Sequence, residues 1–209
     1  MFKKAFTMAE VLIVLAIIGV VALLVLPNLS DSFKEEQNIT KLKKIENDLE
    51  LAYQKSINTY GNYALWTDTG KDRIPKFVET LKGQYCGFTP TCFPTVTGIN
   101  TSNGSTATME LDDGVAIAIS TDEANSKFDI YVALEGVKGG RTIGKSIFGF
   151  NLLYNEGIYP MGYQNDIDAS NAYTGGKNTF NASNWAYSIG NMDYLKCDSE
   201  LNWVNKTSC

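Results

Sequence analysis

Residues 11–26 read Val11-Leu12-Ile13-Val14-Leu15-Ala16-Ile17-Ile18-Gly19-Val20-Val21-Ala22-Leu23-Leu24-Val25-Leu26, and none of these side chains is charged. Such a run is typical of a helix that lies in lipid or in a fully buried seam. The whole chain of 209 residues has 44% hydrophobic and 20% charged residues, which is average for a water-soluble domain. One end of the chain is therefore suited to an apolar environment and the remainder to water.

Two lysines, Lys3 and Lys4, precede this run. Because positive charge stays on the cytoplasmic side of a membrane helix, residues 1–5 are expected in the cytoplasm and the chain after Leu29 on the other side. An ordinary signal peptide would end in a small-x-small cleavage site. The run ends instead in Leu26-Pro27-Asn28-Leu29, so we expect the apolar segment to stay attached.

Composition excludes several classes of function. The net charge of −5 argues against nucleic acid as the primary partner. The chain contains no histidine, which removes histidine-based acid-base catalysis, Ser-His and Cys-His nucleophile pairs, and imidazole-dependent zinc sites. No other arrangement of a nucleophile is recognisable, so the sequence predicts that the protein is not an enzyme.

A charged but periodic segment covers residues 31–60. Its apolar residues recur at intervals of three and four: Ile39, Leu42, Ile45, Leu49, Ala52, Tyr53 and Ile57. This pattern predicts that residues 31–60 are the amphipathic half of one long helix whose apolar half covers residues 6–30. Gly19 is expected to weaken the apolar half and Pro27 to kink it. A coiled-coil dimerisation arm is the rival interpretation, with few heptads to support it.

Residues 61–209 are expected to form a globular α+β head. A short helix is predicted over 73–79, and strands over 106–111, 115–121, 129–134 and 143–153. The turn sequence Asp112-Asp113-Gly114 joins the first two strands and predicts a hairpin, and hence a small antiparallel sheet. Beyond Pro160 we expect a long loop as far as Asn181, and then Ser183 as the cap of a helix that begins at Asn184.

Four cysteines indicate an oxidising compartment. Cys86 lies near Cys92 in the sequence and Cys197 near Cys209, and neither spacing matches a CxxC metal or redox motif. Three disulfide connectivities are possible, and local pairing would close two short loops. Four free thiols in a cytosolic protein are the alternative.

The position of Glu10 needs a reason, because a carboxylate at the mouth of an apolar run costs free energy. With its neighbours it resembles the class III signal of type IV pilins and type II secretion pseudopilins, in the stretch Lys3-Lys4-Ala5-Phe6-Thr7-Met8-Ala9-Glu10-Val11-Leu12-Ile13. The resemblance implies that prepilin peptidase cuts between Ala5 and Phe6 and that Phe6 is then N-methylated. Ala5 stands where the family nearly always has glycine. Glu10 would pair with the Phe6 amine of a neighbouring subunit.

The resemblance also implies an architecture and a function. Gly19 and Pro27 agree with the pilin helix, and 128–132, 136–144 and 147–150 resemble more loosely the strand, glycine-rich turn and strand of a pilin-like head. The implied fold is a long N-terminal helix packed on a small antiparallel sheet, with a C-terminal disulfide loop. The implied function is that of a structural subunit in a type IV pilus-like or type II secretion pseudopilus filament.

The partners and the location follow from the same resemblance. They are other pilins, the prepilin peptidase and methyltransferase, and the assembly platform of the bacterial inner membrane, with the head outside the cytoplasm. The organisation is then a leader over 1–5, a membrane or filament-core helix over 6–30, its amphipathic half over 31–60 and a head over 61–209. The alternative is a single-pass, membrane-anchored binding protein or adhesin that never polymerises.

One oxygen-rich cluster is a candidate for calcium, which some pseudopilin heads bind: Asn165, Asp166, Asp168 and Asn171. It lacks the twelve-residue EF-hand pattern and the distal glutamate of that motif. We therefore expect no cofactor, and Asp166, Asp168 and Asn171 are weak ligand candidates only.

Overall fold

The computed structural model describes residues 7–66, 70–122, 124, 126–154, 156–163, 173 and 176–209, without the side chains at 24–31, 64 and 70. Contacts divide the chain into two compact units, Met1–Gln37 and Asn38–Cys209. The predicted cleavage junction, Ala5 and Phe6, and the predicted calcium ligands Asp166, Asp168 and Asn171 lie outside the described residues.

The chain begins with one long helix, α1, over Met8–Tyr60. In the first unit the helix continues through Gly19 and Pro27 without a break, although both residue types weaken a helix. Within the described part of the chain, no helix is both long enough and apolar enough to cross a membrane. The predicted apolar half, 6–30, includes Phe6 and side chains that lie outside that description.

The second unit is built around one antiparallel sheet of six strands, whose order in the sheet is their order in the chain. The strands are β1 over Gly83–Gly87, β2 over Thr106–Leu111, β3 over Ala116–Asp122, β4 over Lys127–Ala133, β5 over Ile147–Leu153 and β6 over Gly157–Pro160. The shorter helices are α2 over Arg73–Val78, α3 over Ala182–Ser188 and α4 over Tyr194–Cys197. This confirms the α+β class and the antiparallel sheet.

The amphipathic half of α1 packs on one face of this sheet. Six of the seven periodic residues predicted for that half are buried, and the seventh, Ile57, is half-buried against the same core. They meet the alternate side chains of the central strands, among them Ile117, Ile130, Phe148 and Phe150. Because successive side chains of a strand point to opposite faces, the remaining positions form a second core on the other face.

That second core is smaller and is covered by loops. It contains Ala116, Ala118, Ala133 and Ile147 from the strands, packed with Phe93, Val96 and Ile99 from the segment before β2. The sheet is therefore buried on both faces across its centre. The small alanine side chains leave room for a loop, rather than a helix, to lie on this face.

An aromatic stack fixes the end of α1 to the sheet. The ring of Tyr63 stacks on Tyr53 of α1, on Trp66 and on Tyr154, with centroid distances of 5.5, 4.2 and 5.5 Å. Tyr63 is fully buried, and burial raises the pKa of its hydroxyl. Its hydroxyl lies 2.7 Å from the Oγ of Ser56, which in turn donates to the carbonyl of Tyr53.

Most predicted boundaries lie within two residues of the observed ones, but the start of β5 and the predicted cap of α3 were wrong. β5 begins at Ile147 rather than at 143, because residues 142–146 form a closed turn. Ser183 does not cap a helix, since α3 already begins at Ala182 with Asn181 as its N-cap. The Ser183 side chain is instead fully buried and accepts a hydrogen bond from the backbone N–H of Gly149, so a tertiary contact with β5 replaces the predicted local role.

Candidate functional site

The first turn of α1 forms a capping box. Thr7 precedes the helix, and both its backbone N–H and its hydroxyl donate to Glu10 Oε2, at 2.8 and 2.9 Å. In return, the backbone N–H of Glu10 donates to Thr7 Oγ1 at 3.2 Å. In a capping box, the N-cap threonine and the glutamate three residues later each accept a hydrogen bond from the backbone N–H of the other. Two N–H groups that the helix itself leaves free are satisfied in this way. Glu10 therefore has a role within its own chain.

One carboxylate oxygen of Glu10 is left over by this arrangement. Both hydrogen bonds from Thr7 end on Oε2, and among the described residues no group binds Oε1. The side chain is exposed. Glu10 can thus cap its own helix and still offer one oxygen to a cation from outside the chain.

A continuous apolar surface follows this turn. Every residue from 7 to 21 is exposed, and large aliphatic side chains such as Leu15 and Ile18 keep 60% and 57% of their surface accessible. Soluble proteins rarely leave an apolar patch of this extent uncovered. Gly19 lies within it, and a Cβ added there would meet nothing within 4 Å. No close contact within the chain therefore requires glycine at position 19. The side chain of Pro27 is not among those that the structure describes.

Each disulfide joins two cysteines that are close in the sequence, which is one of the predicted alternatives. Cys86 of β1 is bonded to Cys92, and Cys197 at the end of α4 is bonded to Cys209. The structure describes no free cysteine. A non-local connectivity and a set of free thiols are both excluded by these bonds.

Polar side chains hold the C-terminal disulfide loop in place. Asn191 receives a hydrogen bond from the Trp185 indole and donates to the carbonyl of Thr207 at 2.7 Å. Asp193 Oδ2 accepts the backbone N–H of Cys209 at 3.0 Å. At the tip Val204 remains 66% exposed. The loop is therefore a fixed element with an apolar tip rather than a loose tail.

Comparisons of this chain with protein-family models, with characterised proteins and with solved structures gave no match. The function is therefore inferred from the residues of this chain.

A further sequence motif lies between β4 and β5, and the structure tests whether it binds phosphate. Residues 139–146 read GGRTIGKS, which fits the letters of the P-loop pattern GxxxxGK[ST]. The P-loop cradles phosphate with free backbone N–H groups at the start of a helix. Here the N–H groups of Lys145, Ser146 and Ile147 all donate to the carbonyl of Thr142, and a strand follows. The backbone of this loop cannot cradle a nucleotide.

No cluster of three or more candidate metal-ligating side chains lies within the part of the chain that the structure describes. The predicted calcium ligands fall outside that part.

Proposed function

We propose that this chain is a structural subunit of a type IV pilus-like or type II secretion pseudopilus filament. In this proposal prepilin peptidase cuts between Ala5 and Phe6, and Phe6 is methylated. The subunit is anchored in the bacterial inner membrane with Asn38–Cys209 outside the cytoplasm. It then packs with other pilins, through the assembly platform, into a periplasmic or extracellular fibre.

The exposed apolar surface of the first unit is the observation that carries this proposal. Residues 8–23 present aliphatic side chains in every direction around the helix. Burial of such side chains is worth about 1.5–3 kcal/mol each, so water is an unfavourable environment for this surface. Lipid before assembly and neighbouring helices after assembly are two environments that cover a helix on all sides.

The arrangement at Glu10 supports the same proposal. A carboxylate moved from the headgroup region into a packed fibre needs a cation. Glu10 Oε1 is available for one, while Oε2 is held by Thr7. The Phe6 amine of a neighbouring subunit is the cation that cleavage after Ala5 would create. The capping box keeps the carboxylate in a fixed position for that pairing.

The test separates charge pairing from helix capping. The chain is produced in a bacterium that assembles type IV filaments, and sheared surface material and membranes are analysed by mass spectrometry. We expect chains that begin at methylated Phe6 in the filaments. Glu10→Gln keeps an oxygen that accepts hydrogen bonds from Thr7 but removes the charge, and we expect it to abolish incorporation. Thr7→Ala keeps the charge, and we expect it to retain incorporation with a less stable first turn.

Three results would contradict the proposal in distinct ways. Incorporation of Glu10→Gln at the level of the unaltered chain would refute the pairing with the amine. Loss of incorporation in Thr7→Ala alone, with rescue by Thr7→Ser, would leave Glu10 as a cap only. A methylated chain that stays in the membrane fraction and never enters a fibre would favour the anchored binding protein instead.

A further inference from the structure

The connection between β4 and β5 carries an unbalanced positive charge. Lys138, Arg141 and Lys145 lie within eight residues of one another and are all exposed. In the described part of the chain none of the three forms an ion pair. No acidic residue occurs between Glu135 and Glu156. This local excess contrasts with the net charge of −5 for the whole chain.

Glu135 and the two aspartates of the neighbouring turn, Asp112 and Asp113, are the acidic residues beside this connection. Glu135 Oε2 accepts the backbone N–H of Gly140 at 2.7 Å. The β2–β3 turn is adjacent, because a Cβ added at Gly136 would lie 2.4 Å from the carbonyl oxygen of Gly114. In that turn Asp113 pairs with Lys44, which leaves Asp112 as an exposed acid. A hydrogen bond from a neutral amide leaves the charge of Glu135 in place, so the four cations Lys41, Lys138, Arg141 and Lys145 face two uncompensated carboxylates, those of Glu135 and Asp112.

The loop is ordered by its own hydrogen bonds. The backbone N–H of Leu134 donates to the carbonyl of Ser146 at 2.9 Å, and that of Gly144 to the carbonyl of Ile147 at 2.8 Å. The N–H of Thr142 donates to Ser146 Oγ. These hydrogen bonds use the amides of Thr142, Gly144, Lys145, Ser146 and Ile147, and the exposed basic side chains are the charged groups that can bind an anion. A set of separated cations on a fixed loop suits a surface bearing many phosphates rather than one enclosed ligand.

The loop lies beside the residue at which the chain enters the second unit. Asn38, the first residue of that unit, donates from Nδ2 to the carbonyl of Lys145 at 3.1 Å. Lys41 reaches the carbonyl of Leu134 at 3.5 Å. Asn38 follows Leu26, the last residue of the charge-free run, by twelve positions, and twelve residues span at most about 40 Å. At most about 40 Å of chain therefore separates Asn38, which is bonded to this loop, from the end of the apolar run.

We infer that Lys41, Lys138, Arg141 and Lys145 form a basic face that docks on the anionic phospholipid headgroups of the membrane in which the apolar run is anchored. The inference rests on the membrane anchoring in the proposed function. Each basic residue near an anionic surface strengthens such docking about fivefold, and salt weakens it. Docking would hold the second unit at the bilayer until a subunit leaves it for the fibre.

The experiment uses the full chain reconstituted in vesicles of phosphatidylcholine, with or without phosphatidylglycerol. Lysine amines are acetylated for a short time and the rate at each lysine is measured by mass spectrometry. With phosphatidylglycerol at low salt we expect Lys138 and Lys145 to react at least about fivefold more slowly, and high salt to restore the rate. Lys55 and Lys82 are exposed and form no ion pair among the described residues, so they are internal controls whose rates should not change.

A pair of charge-matched variants tests the face itself. K138Q/K145Q removes two of its charges and is expected to lower the docking constant about 25-fold, so that protection of Lys41 disappears. K55Q/K82Q removes the same charge elsewhere and should leave Lys41 protected.

The outcomes distinguish this inference from the proposal on which it depends. Equal acetylation in both kinds of vesicle, with the chain still in the carbonate-washed pellet, would overturn the docking and leave the membrane anchoring intact. A chain that carbonate removes from vesicles would overturn the anchoring, and the docking with it. Protection of the same lysines by a DNA fragment in detergent, at the same salt and to the same extent, would overturn the choice of lipid.

Discussion

The buried pair Ser56 and Tyr63 gives a prediction whose magnitude follows from the hydrogen-bond directions. Neither side chain is accessible to solvent. Ser56 has one hydroxyl proton and donates it to the Tyr53 carbonyl at 2.7 Å, so the Tyr63 hydroxyl must donate to Ser56 Oγ. Ser56→Ala would leave the Tyr63 hydroxyl buried with neither this partner nor water. Such a loss costs about 1–3 kcal/mol.

The double variant makes the prediction specific. Tyr63→Phe removes the orphaned donor and keeps the ring in the aromatic stack, at a cost of about 1 kcal/mol. Ser56→Ala/Tyr63→Phe should then cost about as much as Tyr63→Phe alone. The coupling between the two sites is therefore expected to equal the cost of Ser56→Ala, about 1–3 kcal/mol. Thr59→Ala is the control, because the Thr59 hydroxyl bonds the Lys55 carbonyl at an exposed position, and its removal should cost less than about 0.5 kcal/mol.

Urea unfolding of the full chain in detergent measures these free energies. Trp66 is a built-in fluorescent reporter, because its ring stacks on Tyr63 at 4.2 Å. The slope of the unfolding free energy against urea should be the same for the unaltered chain and all four variants. If the costs of Ser56→Ala and Tyr63→Phe simply add in the double variant, the donor assignment and the penalty for an unpaired hydroxyl are both refuted.

Three further predictions concern the second unit. Gly136→Ala should destabilise it by about 2 kcal/mol more than Gly61→Ala in urea unfolding, because both glycines have positive φ but only a Cβ at Gly136 meets a backbone oxygen. Burial raises the pKa of Glu46 above its usual value, although a hydrogen bond from Tyr187 opposes the shift. The ionised form of Glu46 therefore disfavours folding, and the unfolding free energy falls as pH rises through that pKa. Glu46→Gln should raise the unfolding free energy by less than about 1 kcal/mol at pH 7 and leave it unchanged at pH 4. Replacing Cys197 and Cys209 by serine should lower the unfolding free energy by about 3 kcal/mol in the same assay, and no change would contradict the loop-closure account.

Strong periodicity made parts of the fold predictable. Ile39, Leu42, Ile45, Leu49, Ala52 and Tyr53 of α1 recur with the helical period and are buried, whereas Leu51, which lies off that stripe, is exposed. β2 was predicted to the residue over Thr106–Leu111, because alternation and the Asp112-Asp113-Gly114 turn agree there. β1 and β6 were not predicted. β1 begins and ends with glycine and is mostly exposed, and β6 has only four residues. Neither strand therefore shows the alternation of apolar and polar residues that predicts a strand.

The candidate site was predictable in its residues but not in its geometry. Glu10 stands out in the sequence because a charge at the edge of an apolar run is costly. The sequence Thr7-Met8-Ala9-Glu10 also fits a capping box, and that signal was available but was not used. The basic loop was hidden, since Lys138, Arg141 and Lys145 become a shared surface only when the turn that joins β4 to β5 closes.

The strand order has a consequence for how this protein acquires its structure. Each strand of the sheet pairs with the strand that precedes it in the chain, from β1 to β6. Nearly all pairing is therefore between sequence neighbours, which lowers the entropy lost in loop closure and favours rapid folding. A chain delivered from its N-terminus can add one hairpin at a time to α1, which is already present as the surface on which the sheet grows. Cys197 and Cys209 both follow β6 in the chain, so their bond can close only after all the strands of the sheet have been delivered.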